Sequence, residues 1–233
     1  WSSSGDVDCT PVSWDNISPY LRNAVVAAED KNYYKHGGFS MDGILRAAIS
    51  NARGTSTQGG STITQQFVKN SLLTQDQTIT RKMKELILAI ELERSYTKNE
   101  ILNAYLNEIS FGSRYAGAEA AAKGYFNKSA KDLTLDEAVT LAAVIPAPTY
   151  YSPNGKNTEE LMARRDYILD QMVSQGYIKQ DEADSAKQVA TLSKVVATQN
   201  KYKDIKAPYF VTEVQEQLEQ EYGPANALKA GFK

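Results

Sequence analysis

Apolar positions recur with helical spacing along most of the chain. After Ser18-Pro19, a cap followed by a proline suited to the first helical position, Leu21, Ala24, Val25 and Ala28 fall on one face, so the spacing predicts a helix ending near Glu29. Thr62 to Gln65, Thr97 to Glu100 and Thr134 to Glu137 each fit the capping box, in which two side chains satisfy the orphan amides of a helix start. Further helices are predicted over 81–93, 118–125 and 158–174, the last closed by Gly176 in a left-handed cap. In the first of these, Leu86, Ile87, Leu88, Ala89, Ile90 and Leu92 are apolar around most of the circumference, which predicts a buried central helix. Strand signals are few. Residues 37–60 are rich in Gly, Ser and Thr and read as a mobile loop or small lobe. After about Leu192 the chain turns polar like a linker, broken by the apolar run Tyr209-Phe210-Val211 and an acidic helical stretch over 214–221. The fold class is mainly α.

Composition narrows the chemistry. With 233 residues, 42% hydrophobic and 23% charged, the chain can bury a core as one domain with appendages or as two lobes. Its 26 basic and 28 acidic residues give a net charge of -2, which lacks the basic footprint of a nucleic-acid binder; an anionic ligand must meet a local basic cluster. Cys9 is the only cysteine and His36 the only histidine, so an intrachain disulfide, a thiolate metal cluster and a two-histidine metal site are all excluded. There is no run of 18 apolar residues and no signal-peptide order at the N-terminus, while Trp1 followed by Ser-Ser-Ser-Gly reads as a start inside a longer protein.

Glu29 and Asp30 close the first predicted helix, where the negative end of the macrodipole disfavours a carboxylate by roughly 0.3 to 1 kcal/mol. Beside the stripe of Leu21, Val25 and Ala28, partial desolvation would raise the Glu29 pKa toward that of a working base; an ordinary exposed acidic pair is the alternative. Gly59-Gly60-Ser61-Thr62-Ile63-Thr64-Gln65-Gln66 puts a flexible turn before a capped helix start, where free amides and hydroxyls could face a phosphate or simply form a hinge. No lysine follows the glycines, so this is not a nucleotide phosphate loop. Arg81, Lys82, Lys84 and Glu85 crowd the start of the next helix. Arg81 and Glu85, four apart, can pair, leaving a surplus of two positive charges that an anionic ligand would balance, unless it is a solvated basic start. Asp6-Val7-Asp8 has the acidic spacing of a metal-holding motif but sits in an unstructured start with no alternating strand and helix around it, and is set aside.

Five segments, in order, resemble the family 51 glycosyltransferases, the domain of class A penicillin-binding proteins and monofunctional peptidoglycan glycosyltransferases. They are Glu29 to Gly38, Gly59 to Gln66, Arg81 to Glu85, Lys98 to Asn107, and Gly117 to Lys128 with its Tyr125-Phe126 pair, within a match over about 17–153. Tyr33 replaces a usual phenylalanine, and Gln77 stands where a basic residue is common, which bears on one phosphate contact.

The resemblance implies a lysozyme-like glycosyltransferase fold with a large head lobe and a smaller, membrane-facing jaw at about 37–78. It implies a domain over 17–191, an N-terminal extension over 1–16 after a removed membrane anchor, and a linker over 192–233 toward an absent transpeptidase domain. It also implies the reaction: inverting polymerisation of lipid II, with Glu29 as base toward the acceptor 4-hydroxyl and undecaprenyl pyrophosphate leaving. Glu85 would steady the reacting groups or the leaving pyrophosphate, and Lys69, Arg81, Lys82 and Lys84 would bind phosphate. Asp30, His36, Ser61, Thr62, Gln65, Gln66 and Asn107 would complete the substrate site. The implied partners are lipid II and the growing lipid-linked glycan, the membrane surface, moenomycin-type inhibitors and cell-wall synthesis or division proteins, at the extracytoplasmic face of the cell membrane. No cofactor is required, although a divalent cation such as Mg is compatible. A lytic glycan-cleaving enzyme on the same architecture and a non-catalytic lipid II-binding module are the competing readings.

Overall fold

The computed structural model describes residues 8–38, 61–71, 79–112 and 115–196. Most of the predicted jaw, Gln77, the apolar run at 209–211 and the acidic stretch at 214–221 lie outside the described residues. Eight α-helices are present among those described: α1 (Pro19–Glu29), α2 (Ile63–Ser71), α3 (Ile79–Ser95), α4 (Lys98–Glu108), α5 (Ala118–Phe126), α6 (Leu135–Val144), α7 (Thr158–Ser174) and α8 (Gln180–Lys187). The described strands are β1 (Asp8–Cys9) and β2 (Tyr115–Ala116), which pair in parallel with Asp8 opposite Tyr115. Asp8 therefore belongs to a short ladder rather than to the unstructured start expected of it.

The centre of the molecule is α6, on which α1 and α7 pack. Val139, Leu141, Ala142, Ala143 and Val144 are all fully buried, and Leu21, Ala24 and Val25 of α1 and Leu161, Ile168 and Leu169 of α7 close around them. Small side chains let these helices approach closely, which suits a helix enclosed on all sides. Two carboxylates open α6. Glu137 accepts from the Thr134 amide at 3.0 Å and pairs with Lys128 at 2.8 Å, while Asp136 pairs with Lys194 at 2.9 Å and accepts from the Thr191 hydroxyl at 2.8 Å. Burial pushes both carboxyls up, but these donors outweigh it and hold both below their ordinary values.

The helix predicted to be central, α3, is not. Met83, Ile87 and Leu88 are 54%, 60% and 36% exposed, and the inward stripe is instead Glu85, Ala89 and Glu93, spaced four apart. Glu93 accepts from the Thr64 hydroxyl and pairs with Lys98 at 2.6 Å, so polar hooks rather than an apolar face fasten α3 to α2 and α4. Gly38, at φ +80°, runs against the α3 backbone; a Cβ there would stand 2.8 Å from the Ala89 carbonyl oxygen. This close approach sets the first motif beside the helix that carries the third.

Candidate active site

Glu29 is the last residue of α1, and its carboxylate is held between two other helices. Gln66 Nε2 of α2 donates to Oε2 at 3.1 Å, and Arg164 Nη2 of α7 donates to Oε1 at 3.3 Å. The Glu29 side chain is only 11% exposed. Burial raises its pKa above the ordinary glutamate value, the Gln66 and Arg164 contacts pull the other way without cancelling the rise, and neighbouring Asp30 adds to it. The result is a carboxylate made more basic by desolvation yet still supplied with a cation. That combination suits proton abstraction.

Gln66 is itself held. The Tyr105 hydroxyl of α4 donates to Gln66 Oε1 at 2.9 Å, so the chain of contacts runs Tyr105, Gln66, Glu29, Arg164. Neither Arg164 nor Tyr105 was singled out from sequence as a site residue. Arg164 also lies over the Tyr151 ring, 5.7 Å from its centroid.

Asp30 and His36 are turned toward the protein. The Asp30 carboxylate lies 2.8 Å and 2.9 Å from His36 Nε2 through its two oxygens and accepts from the Ile63 amide at 3.1 Å. Thr62 and Gln65 form the predicted capping box: the Thr62 amide donates to Gln65 Oε1 at 3.0 Å and the Gln65 amide donates to Thr62 Oγ1 at 3.2 Å. The Thr62 hydroxyl donates to the Gly38 carbonyl at 3.1 Å. Gly59 and Gly60, read as opening either a phosphate site or a hinge before α2, lie outside the described residues. The amides at Thr62, Ile63 and Gln65 are taken by side chains, and the anion beside the helix N-terminus is Asp30.

Ser61, one residue before this cap, meets the third motif. Lys82 Nζ donates to Ser61 Oγ at 3.1 Å and pairs with Glu85, which is 2% exposed. The described partner of Glu85 is therefore Lys82, three residues before it; Arg81 belongs to α3 with its side chain outside the described residues. Lys84 and Lys69 are exposed. Glu29 thus joins α2 through Gln66, and Lys82 joins the segment just before α2 through Ser61.

Asn107 is the exception. Its carboxamide accepts from the Val12 amide at 2.8 Å and donates to the Val12 and Asn103 carbonyls, each at 2.9 Å. Two residues beyond Tyr105 on α4, it fastens the N-terminal segment to that helix. Among the described residues no group of three or more His, Cys, Asp or Glu side chains is placed to hold a metal ion.

The chain matches the family model described as Transglycosylase over residues 3–173. The chain belongs to the transglycosylase family. It is 43% identical over 213 residues to penicillin-binding protein 1A of Aquifex aeolicus, covering 91% of this chain and 28% of that protein. Over 180 residues it is 47% identical to penicillin-binding protein 1F of Bacillus subtilis, covering 76% of this chain and 25% of that one. The crystal structure of penicillin-binding protein 1A from Haemophilus influenzae superposes with a TM-score of 0.53 at 22% identity, over 96% of this chain and 23% of that one, a likeness of fold. The chain spans about a quarter of the length of these curated relatives. It is a mainly helical transglycosylase domain, similar over most of its length to part of these penicillin-binding proteins. No described helix is long and apolar enough to cross a membrane.

Proposed function

We propose that this transglycosylase domain joins lipid II units into glycan strands, with Glu29 as the general base. The observation that carries the reading is the Glu29 carboxylate, withdrawn from water between Arg164 and Gln66 and linked through α2 and the Ser61 before it to the Lys82–Glu85 pair. The acceptor sugar's 4-hydroxyl oxygen attacks C1 of the donor as its proton passes to Glu29. A new C1–O bond forms on one face while the C1–phosphate oxygen bond breaks on the other, so the anomeric centre inverts. The bonding electrons leave with undecaprenyl pyrophosphate.

Pyrophosphate is a good leaving group once its charge is balanced, so cations do more here than a strong acid would. Lys82 and Lys84, with Arg81 and Lys69, supply that charge, and Glu85 holds Lys82 in place on α3. Ser61 and Gln66 face the reacting groups; Asp30, His36, Thr62 and Gln65 act by fixing α2. The work is done at the extracytoplasmic face of the cell membrane, where a lipid-linked substrate and growing glycan reside, alongside other cell-wall synthesis or division proteins. No step draws on a cofactor. Polymer formation from lipid II in the presence of a chelator checks this, and loss restored by added Mg would overturn it.

Product analysis tests the reading as a whole. The protein given lipid II should make glycan polymer, and given intact sacculi should release no muropeptides. Muropeptide release without polymer would establish a lytic enzyme, and neither product would leave a precursor-binding module.

A further inference from the structure

A glutamine carboxamide has two orientations of nearly the same shape but opposite polarity, and only one presents N–H to an anion. At Gln66 the choice is made from behind. Tyr105, 1% exposed, donates its hydroxyl proton to Oε1, which leaves Nε2 directed at Glu29. The reverse orientation would set a carbonyl oxygen against the carboxylate and is compatible with Glu29 only when that group is protonated. Whatever fixes the amide therefore biases the base toward its ionised form.

We infer that Tyr105 is a positioning residue for the proposed base: its 2.9 Å hydrogen bond locks the Gln66 carboxamide so that N–H faces Glu29, favouring the anion that accepts the substrate proton. This rests on Glu29 being the base. The Tyr105 proton is not lost over any working range, because burial and the nearby Glu29 charge raise its pKa well above the ordinary tyrosine value. The groups that bear on Glu29 are Arg164 from α7, Gln66 from α2, Tyr105 from α4 and adjacent Asp30. Arg164 supplies charge, Asp30 opposes it, and Tyr105 acts through an intermediary. Its signature is thus a change in protonation and not in substrate contact.

The test is the pH dependence of kcat for lipid II polymerisation. Tyr105→Phe keeps the ring and removes the donor. The acid limb should move to higher pH, with about a threefold greater loss on the acid side than at high pH, the size of one modest hydrogen bond. In a Gln66→Leu background the same change should produce no further shift. Replacing Tyr105 by 3-fluorotyrosine, an isosteric and stronger donor, should move the limb to lower pH, which keeps the inference testable if the Phe variant folds poorly. A loss uniform across pH, an equal shift without Gln66, or a 3-fluorotyrosine shift in the other direction would overturn it. Glu29→Gln is run alongside: full turnover there removes the base assignment itself, whereas an inactive Glu29→Gln with an unmoved Tyr105→Phe limb removes only the role of Tyr105.

Discussion

Replacing Arg164 with methionine removes the cation from Glu29 while keeping most of the stem volume. The guanidinium lies 3.3 Å from the carboxylate, with side chains 25% and 11% exposed, so the pair is neither fully solvated nor fully enclosed. Two unit charges about 4 Å apart interact by about 1 kcal/mol at the dielectric of water and about 4 kcal/mol at an effective value of 20. Partial exposure argues for the middle of that range, about 1.4 to 2.7 kcal/mol, or about tenfold to a hundredfold in the balance between ionised and neutral Glu29. Burial already raises this pKa above 4.5, and losing the cation raises it further. Because the base must be ionised, the rate climbs as pH rises through that pKa, and the variant's climb begins later. Lipid II polymerisation measured from acid to alkaline pH should therefore show a tenfold to hundredfold deficit on the acid limb that narrows at high pH, with Arg164→Lys intermediate. A deficit independent of pH would refute the reasoning and make Arg164 a substrate contact.

Arg81→Ala and Lys84→Ala should each weaken binding of a phosphoglycolipid inhibitor such as moenomycin by about tenfold, the worth of one hydrogen bond between charged groups; equal affinity in a titration removes the phosphate-clamp assignment. Gly117 sits at φ +87° with the Asn107 carbonyl oxygen 2.5 Å from where a Cβ would stand, so Gly117→Ala should cost at least about 2 kcal/mol and lower Tm by about 4 °C or more. An unchanged melting curve would contradict that packing. Lys194→Met should cost about 1 kcal/mol at neutral pH, a figure kept small because Lys194 is 37% exposed. Asp136 and Glu137 have lowered pKa values, so their contribution is present above the ordinary 3.8 and 4.5 and is lost as pH falls through the lower folded values. The gap between wild type and variant should close in acid, and a gap that persists at pH 2 would count against the ion pair.

Local chemistry was readable in the sequence and long-range geometry was not. The capping boxes at Thr62 and Thr97 and the helix from Thr158 to Ser174 with Gly176 at φ +77° appear where the residues placed them, because caps and left-handed turns are settled within a few positions. Burial depends on neighbours far along the chain. The apolar richness of α3 suggested a central helix, yet its inward stripe holds Glu85 and Glu93, made tolerable by Lys82, Lys98 and Thr64, while the shorter α6 is enclosed. Arg164 reaches Glu29 across 135 residues and Asn107 reaches Val12 across 95, separations at which no periodicity or motif carries a signal. Asp30, Thr62 and Gln65 were read as substrate-site residues, and their hydrogen bonds build the start of the helix that presents Gln66, a structural part that the motif alone did not reveal.

The most direct measurement is lipid II polymerisation by Glu29→Gln beside precursor binding by the same protein. The amide keeps the shape of the side chain and cannot take the acceptor proton, so polymer formation should fall by about 10²- to 10⁴-fold while the precursor remains bound. Polymerisation at the wild-type rate would contradict the account at its centre.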